Sequence, residues 1–453
     1  MTLATTGCQT ARPSSPSAAI NPGTAATQKE AVTSAARKDS VPKTAESSAA
    51  ITPTAGPQSD TSTEELTLAD FQRMAQENNP TLDAAIARKD AAYASQWQAG
   101  RYPNPVIGYH SMAMGNDGTS GQQGGFVRQQ IITGGKLDLD QAIASRQTSE
   151  REFQLDTQRQ RVLTDVRILF YDSAIATRRL ELTRDLVRMS DELVTSTRQL
   201  LTNREASENT LLQSEITSEE TKLLLDSATD RNTESWRRLT SLVGAPSLPF
   251  TPLDAVFLET DLPIYTWEEA HSLVLDNHPQ LEAARQRVER SSIIIEREKR
   301  TPIPDIDLMV SIRHVNPTDS DTASVMAGIP IPLFDRNEGN IRRAQSENAA
   351  ARHEVTQLEL AIQDQLTGIY KKYDIARKQA ERYQSQILPR AKKSFDLVSN
   401  AYEQGQMDYL TLIQSQETFI RTQLAHLNSV LQLQRTLAIL EGQLLYNSLI
   451  RSH

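Results

Sequence analysis

The chain has 453 residues, a formal net charge of −9 and a sequence pI near 5.5. Without a basic stripe or Lys/Arg block, this balance argues against a nucleic-acid partner. Aromatics make up 5% and mean hydropathy is −0.48, thin for one thick globular core and suited to long helices packed along narrow seams.

The N-terminus carries the single cysteine, Cys8, so a disulfide framework within the chain is excluded. Leu3-Ala4-Thr5-Thr6-Gly7 before it is similar to the end of a bacterial lipoprotein signal, in which the Cys becomes a lipid-bearing N-terminus. Thr5 stands where such signals carry Leu, and two readings stay open: a lipid anchor, or an ordinary thiol. Residues 9–64 are rich in Ala, Thr, Ser and Pro without apolar period, which predicts a disordered tether.

From residue 65 the chain repeats itself once. Asn78-Asn79-Pro80-Thr81-Leu82-Asp83-Ala84-Ala85 recurs as Asn277-His278-Pro279-Gln280-Leu281-Glu282-Ala283-Ala284, an offset of 279 − 80 = 199 residues. The copies predict two equivalent halves, 65–260 and 261–453, much longer than a solenoid unit. Each opens with a helix, Thr67–Ala99 and Thr266–Lys299, interrupted near its start by Pro80 or Pro279 and ended by Pro103-Asn104-Pro105 or Pro302-Ile303-Pro304. His271 and His278 are expected on a solvated helix surface.

A hairpin follows in each half. Ile306, Leu308, Val310 and Ile312 alternate with Asp307, Met309, Ser311 and Arg313, the period of a strand between two media. The expected return strand is Val325–Leu333; the first-half pair is Val106–Met114 and Phe126–Thr133, around a Gly-rich loop. His110, Met112 and Met114 alternate on one strand and have the chemistry of soft metal contacts, although a barrel wall is the simpler reading.

A very long helix comes next, Gly135–Thr202 and Asn340–Asn400, the second with Gly368 and Pro389 inside it. At 1.5 Å per residue the first extends roughly 100 Å. Leu163, Val166, Phe170, Ser173, Thr177 and Leu180 follow a coiled-coil spacing. Short breaks near Asn203–Asn209 and Tyr402–Asp408 return the chain as another helix. The 199-residue offset sets Ala206 opposite Gly405.

No run of about 18 apolar residues is present, the length a spanning helix needs, but membrane β-strands give a weaker signal. Four amphipathic strands cannot close a membrane barrel, for which about eight is the small end. Several chains would have to share one: two give eight strands, three give 3 × 4 = 12. No phosphate loop, HExxH or CxxC pair is present, so the chain reads as a non-enzyme without cofactor or resident metal.

The duplication, the Asn-Pro-x-Leu-x-Ala-Ala opening, Thr133-Gly134-Gly135-Lys136, Ile329-Pro330-Ile331-Pro332-Leu333-Phe334-Asp335-Arg336-Asn337 and Tyr402-x-x-Gly405 with Asp408-Tyr409-Leu410 together resemble the TolC-type outer membrane efflux proteins. The resemblance covers residues 65–448, and Pro-Leu-Phe-Asp-Arg-Asn is most similar to the CzcC/CusC heavy-metal branch. It implies a homotrimer with a 12-stranded barrel in the outer membrane and a helical tunnel through the periplasm. It also implies a periplasmic adaptor and an inner-membrane pump as partners, and passive export of heavy-metal cations, with drugs or other small molecules as the alternative cargo. A soluble periplasmic coiled-coil scaffold is the competing class. Lipidation of an N-terminal Cys is common in that branch, and the resemblance thus favours the lipid-anchor reading of Cys8. The docking and entrance tips would be Asn203, Glu205, Ala206, Ser207 and Glu208 in the first half, and Tyr402, Gly405, Asp408 and Tyr409 in the second. An acidic ring found in some relatives would fall on Thr411 and Gln414, leaving Asp408, Glu205 or Glu208 to supply charge.

Overall fold

A computed structural model describes residues 66–114, 120–253 and 262–449 of the chain. Each repeat opens on a broken helix: α1 (Leu68–Asn78) and α2 (Pro80–Ala99) in the first. Its strands are β1 (Val106–Met114) and β2 (Ser120–Ile131), followed by α3 (Lys136–Thr202) and α4 (Glu208–Leu242). In the second repeat these become α5 (Trp267–Leu275), α6 (Pro279–Arg300), β3 (Ile306–Val315), β4 (Ser320–Gly328), α7 (Glu338–Arg382), α8 (Leu388–Glu403) and α9 (Tyr409–Glu441).

The helix starts follow from local chemistry. Thr67 and Asp70 form a capping box, as do Thr266 and Glu269, each satisfying two orphan backbone donors. Pro80 and Pro279 sit at the first position of a new helix, where a missing N–H costs nothing. Pro389 lies within a continuous helical rod, and the five residues before Leu388, Tyr383–Ile387, widen into a π-turn. That widening absorbs the clash and the lost hydrogen bond a proline imposes on the preceding turn.

The four strands form one antiparallel sheet in the order β1-β2-β3-β4, so the two hairpins join through β2 and β3. Two expectations about strand ends change. β2 begins at Ser120 rather than Phe126 and ends at Ile131. β4 covers Ser320–Gly328, not Val325–Leu333. Its pairing stops where Asp307 meets Gly328, and beyond that point Pro330 and Pro332 have no N–H for a ladder.

The helical core lies in two clusters. One gathers Phe71 of α1, Val162, Val166 and Phe170 of α3, and Trp236 and Leu239 of α4. The other gathers Val274 of α5, Leu366 and Tyr373 of α7, and Leu427 and Leu437 of α9, with Ile175 and Leu186 of α3. α3 therefore carries apolar residues on more than one side, beyond the single seam its spacing predicts.

His278 departs from expectation: it is 1% exposed. It precedes Pro279 as Asn79 precedes Pro80. The Asn79 amide donates to the Leu242 carbonyl at 2.8 Å, and His278 Nε2 lies 3.1 Å from the Gln443 carbonyl. Each side chain ties the break in the opening helix to the end of its repeat's last helix. Because the carbonyl only accepts, Nε2 carries the proton, and buried Nδ1 has no hydrogen-bond partner. His271 remains partly exposed beside Gln363.

Burial first, and the Arg161 charge after it, hold His278 below the usual histidine range, with the Gln443 hydrogen bond opposing them. Burial lowers His426 likewise. A histidine held neutral by the fold binds its proton more readily in the unfolded chain, so stability is constant above the ordinary pKa near 6.5 and falls as pH drops below it. We expect the unfolding temperature to decline between about pH 6.5 and 5. His278→Asn, which copies the first repeat, should flatten that decline in part, with His426 supplying the rest. Identical slopes for wild type and variant in thermal melts would show that His278 does not titrate across unfolding.

Candidate functional site

The sheet has two chemically different faces because side chains alternate and the register holds across all four strands. Ile107, Val127, Val310 and Val325 stand in one straight row, from 43% to 79% exposed. Tyr109, Gly125, Ile312 and Ala323 form the next row on the same face. The opposite face is polar. There Arg128 pairs with Asp307 at 3.2 Å, and the Arg313 guanidinium donates to Ser324 Oγ at 2.8 Å and to Gln122 at 3.3 Å. His110 and Met112 fall on this polar face, with the His110 ring 6.0 Å from Phe126. The Met114 side chain lies outside the described residues. Among the described residues no group of three His, Cys, Asp or Glu is placed to hold a metal ion.

Strands of nine to twelve residues match the length that spans a hydrocarbon core when tilted. No described helix is long and apolar enough to cross a membrane.

The sheet joins the helices through two short joints. Thr133-Gly134-Gly135-Lys136 forms the first. Gly135 takes φ +65° to start α3, and Gly134 takes φ +69° against Ile303. Buried Lys136 donates to the Ile303 carbonyl at 2.7 Å and to Asp305 at 2.8 Å, and Asp305 also accepts from the Thr133 N–H at 2.9 Å. In the second joint Asn337 takes the left-handed conformation to start α7, and its amide donates to the Glu298 carbonyl at 2.9 Å. Sequence reading picked out both motifs without seeing that they brace helix to sheet. The partners lie 167 and 39 residues away, beyond any local spacing.

The predicted tips lie at the two far turns. Asn203 ends α3; Ser207 starts α4, its hydroxyl accepting from the Thr210 N–H at 3.2 Å. Asn203, Glu205, Ser207 and Glu208 are exposed and Ala206 is half-buried. In the second turn Gly405 takes φ +71°, and the Gln406 N–H donates to the Ala401 carbonyl at 2.8 Å. The Glu205 N–H makes the same bond to Leu200 at 2.8 Å, so the first turn's left-handed residue is Arg204, φ +62°. The structural offset here is 405 − 204 = 201, not 199, and Ala206 is not the counterpart of Gly405. Arg204 carries the strain of a side chain in that region, which Gly405 avoids.

The two turns are built differently. Near the first, Arg198 pairs with Glu215 at 2.9 Å, and Asp191 accepts from Ser218 at 2.7 Å. Near the second, Phe395 stacks on Phe419 with centroids 5.9 Å apart, and Tyr402 meets Tyr409 at 5.8 Å. Burial first, then the Glu192 carboxylate of α3 and Tyr402, push the Tyr409 phenol up. Thr411 donates to the Asp408 carboxylate, fixing one acidic group at the turn. Among the described residues no hydrogen bond or ion pair joins the two turns. Cys8 and the 1–64 tether lie outside the described residues.

The family model for outer membrane efflux proteins matches residues 270–444. The cobalt-zinc-cadmium resistance protein CzcC of Cupriavidus metallidurans is 24% identical over 153 residues, 34% of this chain. That alignment spans 37% of the length of this curated relative. The outer membrane protein VceC of Vibrio cholerae superposes with a TM-score of 0.67 at 16% identity, covering 83% of this chain and 95% of VceC. CusC gives a TM-score of 0.66 at 15% identity, covering 84% and 92%. The second repeat is thus matched in sequence by the outer membrane efflux protein model, and the mainly helical, two-hairpin body is matched in fold by outer membrane channels of the TolC type.

Proposed function

We propose that this chain is the outer-membrane exit duct of a tripartite efflux pump, a non-enzymatic channel that reaches into the periplasm. The observation that carries this reading is the four-stranded sheet, apolar along one face and polar along the other, with strands long enough to span and long helices at one end. Its outer strands β1 and β4 leave rows of unpaired backbone groups. Each unsatisfied group costs several kcal/mol in hydrocarbon, so the sheet must close with further copies. Three copies give a 12-stranded barrel in a homotrimer. A soluble periplasmic scaffold gains nothing from an exposed valine row.

Heavy-metal cations are the proposed cargo, on the likeness to CzcC and the Pro332-Leu333-Phe334-Asp335-Arg336-Asn337 motif. A duct passes cargo without binding it tightly, since strong sites slow release. The proposed adaptor contacts are Asn203, Glu205, Ala206, Ser207, Glu208, Tyr402, Gly405, Asp408 and Tyr409, exposed or half-buried at the two turns. Cys8 is the proposed lipid anchor.

Fractionation should place the protein in the outer membrane as a homotrimer, and restored resistance to zinc, cobalt, cadmium, copper or silver in a pump-competent deletion strain should follow. A soluble monomer would reject the duct. Drug resistance without metal resistance would reject the cargo and keep the duct. In the same strain, expressed with a functional export signal, Cys8→Ser should abolish fatty-acid labelling while the barrel keeps the protein in the membrane.

A β-branched side chain at Gly405 meets open space, so Gly405→Val strains only the backbone, by roughly 1–2 kcal/mol. Trimer level should hold while adaptor crosslinking and export both fall. Unchanged crosslinking and resistance would reduce this turn to a connector.

A further inference from the structure

Two apolar patches without a partner among the described residues lie at the opposite edges of the fold. At the β4 edge, the linker to α7 exposes Ile331 (75%), Leu333 (67%) and Phe334 (100%). It is nine residues long (329–337), whereas the equivalent linker from β2 to α3 is four (132–135). At the β1 edge, α2 and the segment after it expose Tyr93 (67%), Trp97 (62%) and Tyr102 (61%). Arg101 lies over the Trp97 ring at 4.3 Å, holding the indole in place.

Strand directions put both patches at the same end. β1 starts from the helical end of the sheet, because α2 precedes it; β4 returns to that end, because α7 follows it. β1 and β4 of adjacent copies can therefore pair antiparallel, as every strand pair within the chain does. The helices repeat the order. α2 packs on α3, α3 on α6 and α6 on α7, leaving α2 and α7 at the two ends of the row. Closure of strands and closure of helices bring the same two segments together.

We infer that the Ile331–Phe334 linker of one copy docks on the Trp97–Tyr102 aromatic surface of a second copy of this chain, forming an apolar seam below the barrel. This rests on the proposed ring of identical chains and adds where its protomers lock. The contact is heterologous: each copy offers the linker on one side and the aromatics on the other, so the seam repeats around a closed ring. The longer second linker then has a purpose the first lacks, since only the second ends at an open edge.

The test is Trp97→Cys with Phe334→Cys in outer-membrane preparations, under mild oxidation or a short bis-maleimide. The unsubstituted chain, with Cys8 as its one cysteine, sets the background. The double variant should give covalent dimers and trimers on non-reducing gels, whereas either single variant, or Trp97→Cys with Leu223→Cys on α4, stays at background. An intact native-gel trimer without crosslinks overturns the seam and leaves the duct reading standing; no trimer in the unsubstituted chain removes both. Quenching of a fluorophore on Phe334→Cys by brominated lipid would place the linker in the bilayer instead and overturn the seam. Should the double variant fail to assemble, Phe334→Ser should lower the temperature at which the detergent-solubilised trimer dissociates, and Leu223→Ser should not. Equal dissociation temperatures would count against the seam.

Discussion

The antiparallel register of β2 on β3 is the constraint on which the rest of the structure depends. It runs from Ile131 opposite Ile306 to Gln122 opposite Val315, and it is the only strand pairing between the repeats among the described residues. A lone two-stranded hairpin is marginal in water; joining two makes a four-stranded sheet. Side chains alternate, so a slip of one residue would carry Val127 from opposite Val310 to opposite Met309 or Ser311, whose side chains lie on the other face. The continuous valine row would then break at the junction of the repeats. The same register sets the helices, because Lys136 at the start of α3 reaches the Ile303 carbonyl and Asp305, immediately before β3. A sheet slip would therefore pull α3 out of place against α6.

The repeats meet the same backbone demands with different residues. A left-handed residue starts each long helix, Gly135 in one and Asn337 in the other. A left-handed residue also turns each tip, Arg204 and Gly405. Asn79 and His278 close the same long-range contact, but Asn79 also caps α2 by accepting from the Thr81 N–H at 2.9 Å, and His278 caps nothing. The second copy thus carries a buried polar atom without a hydrogen-bond partner, His278 Nδ1, where the buried Asn79 amide of the first is satisfied. The backbone geometry persists where the side-chain chemistry has drifted, as expected when the fold constrains φ and ψ more tightly than residue type.

Period and punctuation made much of the fold legible. The Pro breaks, the capping pairs, the faces of β3 and the long α3 all follow from residues close in sequence. What stayed hidden depended on distant partners. The end of β4 was the exception: alternation continues through Ile329, Ile331 and Leu333 and masked the local stop at Pro330 and Pro332, which cannot donate to the ladder. A two-residue difference between the repeats at the tips is invisible when the offset is measured at Pro80 and Pro279. His278 looked solvated because its carbonyl partner is 165 residues away. The tip residues themselves were legible as a turn, since Gly405 and Ser207 signal one, while the adaptor role came from resemblance alone.

Stability is also distributed unevenly among the long helices, for reasons the packing makes explicit. α3 buries Val162, Val166, Ile175 and Leu186 against several helices, so opening it exposes core on more than one side. α8 contains no buried residue; its contact with α9 relies on half-covered aromatics such as Phe395. It also follows the π-turn at Tyr383–Ile387, where the regular helical bond pattern is already interrupted. Local opening requires little free energy where few apolar contacts are lost. Within one chain, α8 therefore opens more readily than α3, and it can do so while the β2–β3 register and the Lys136 brace remain intact.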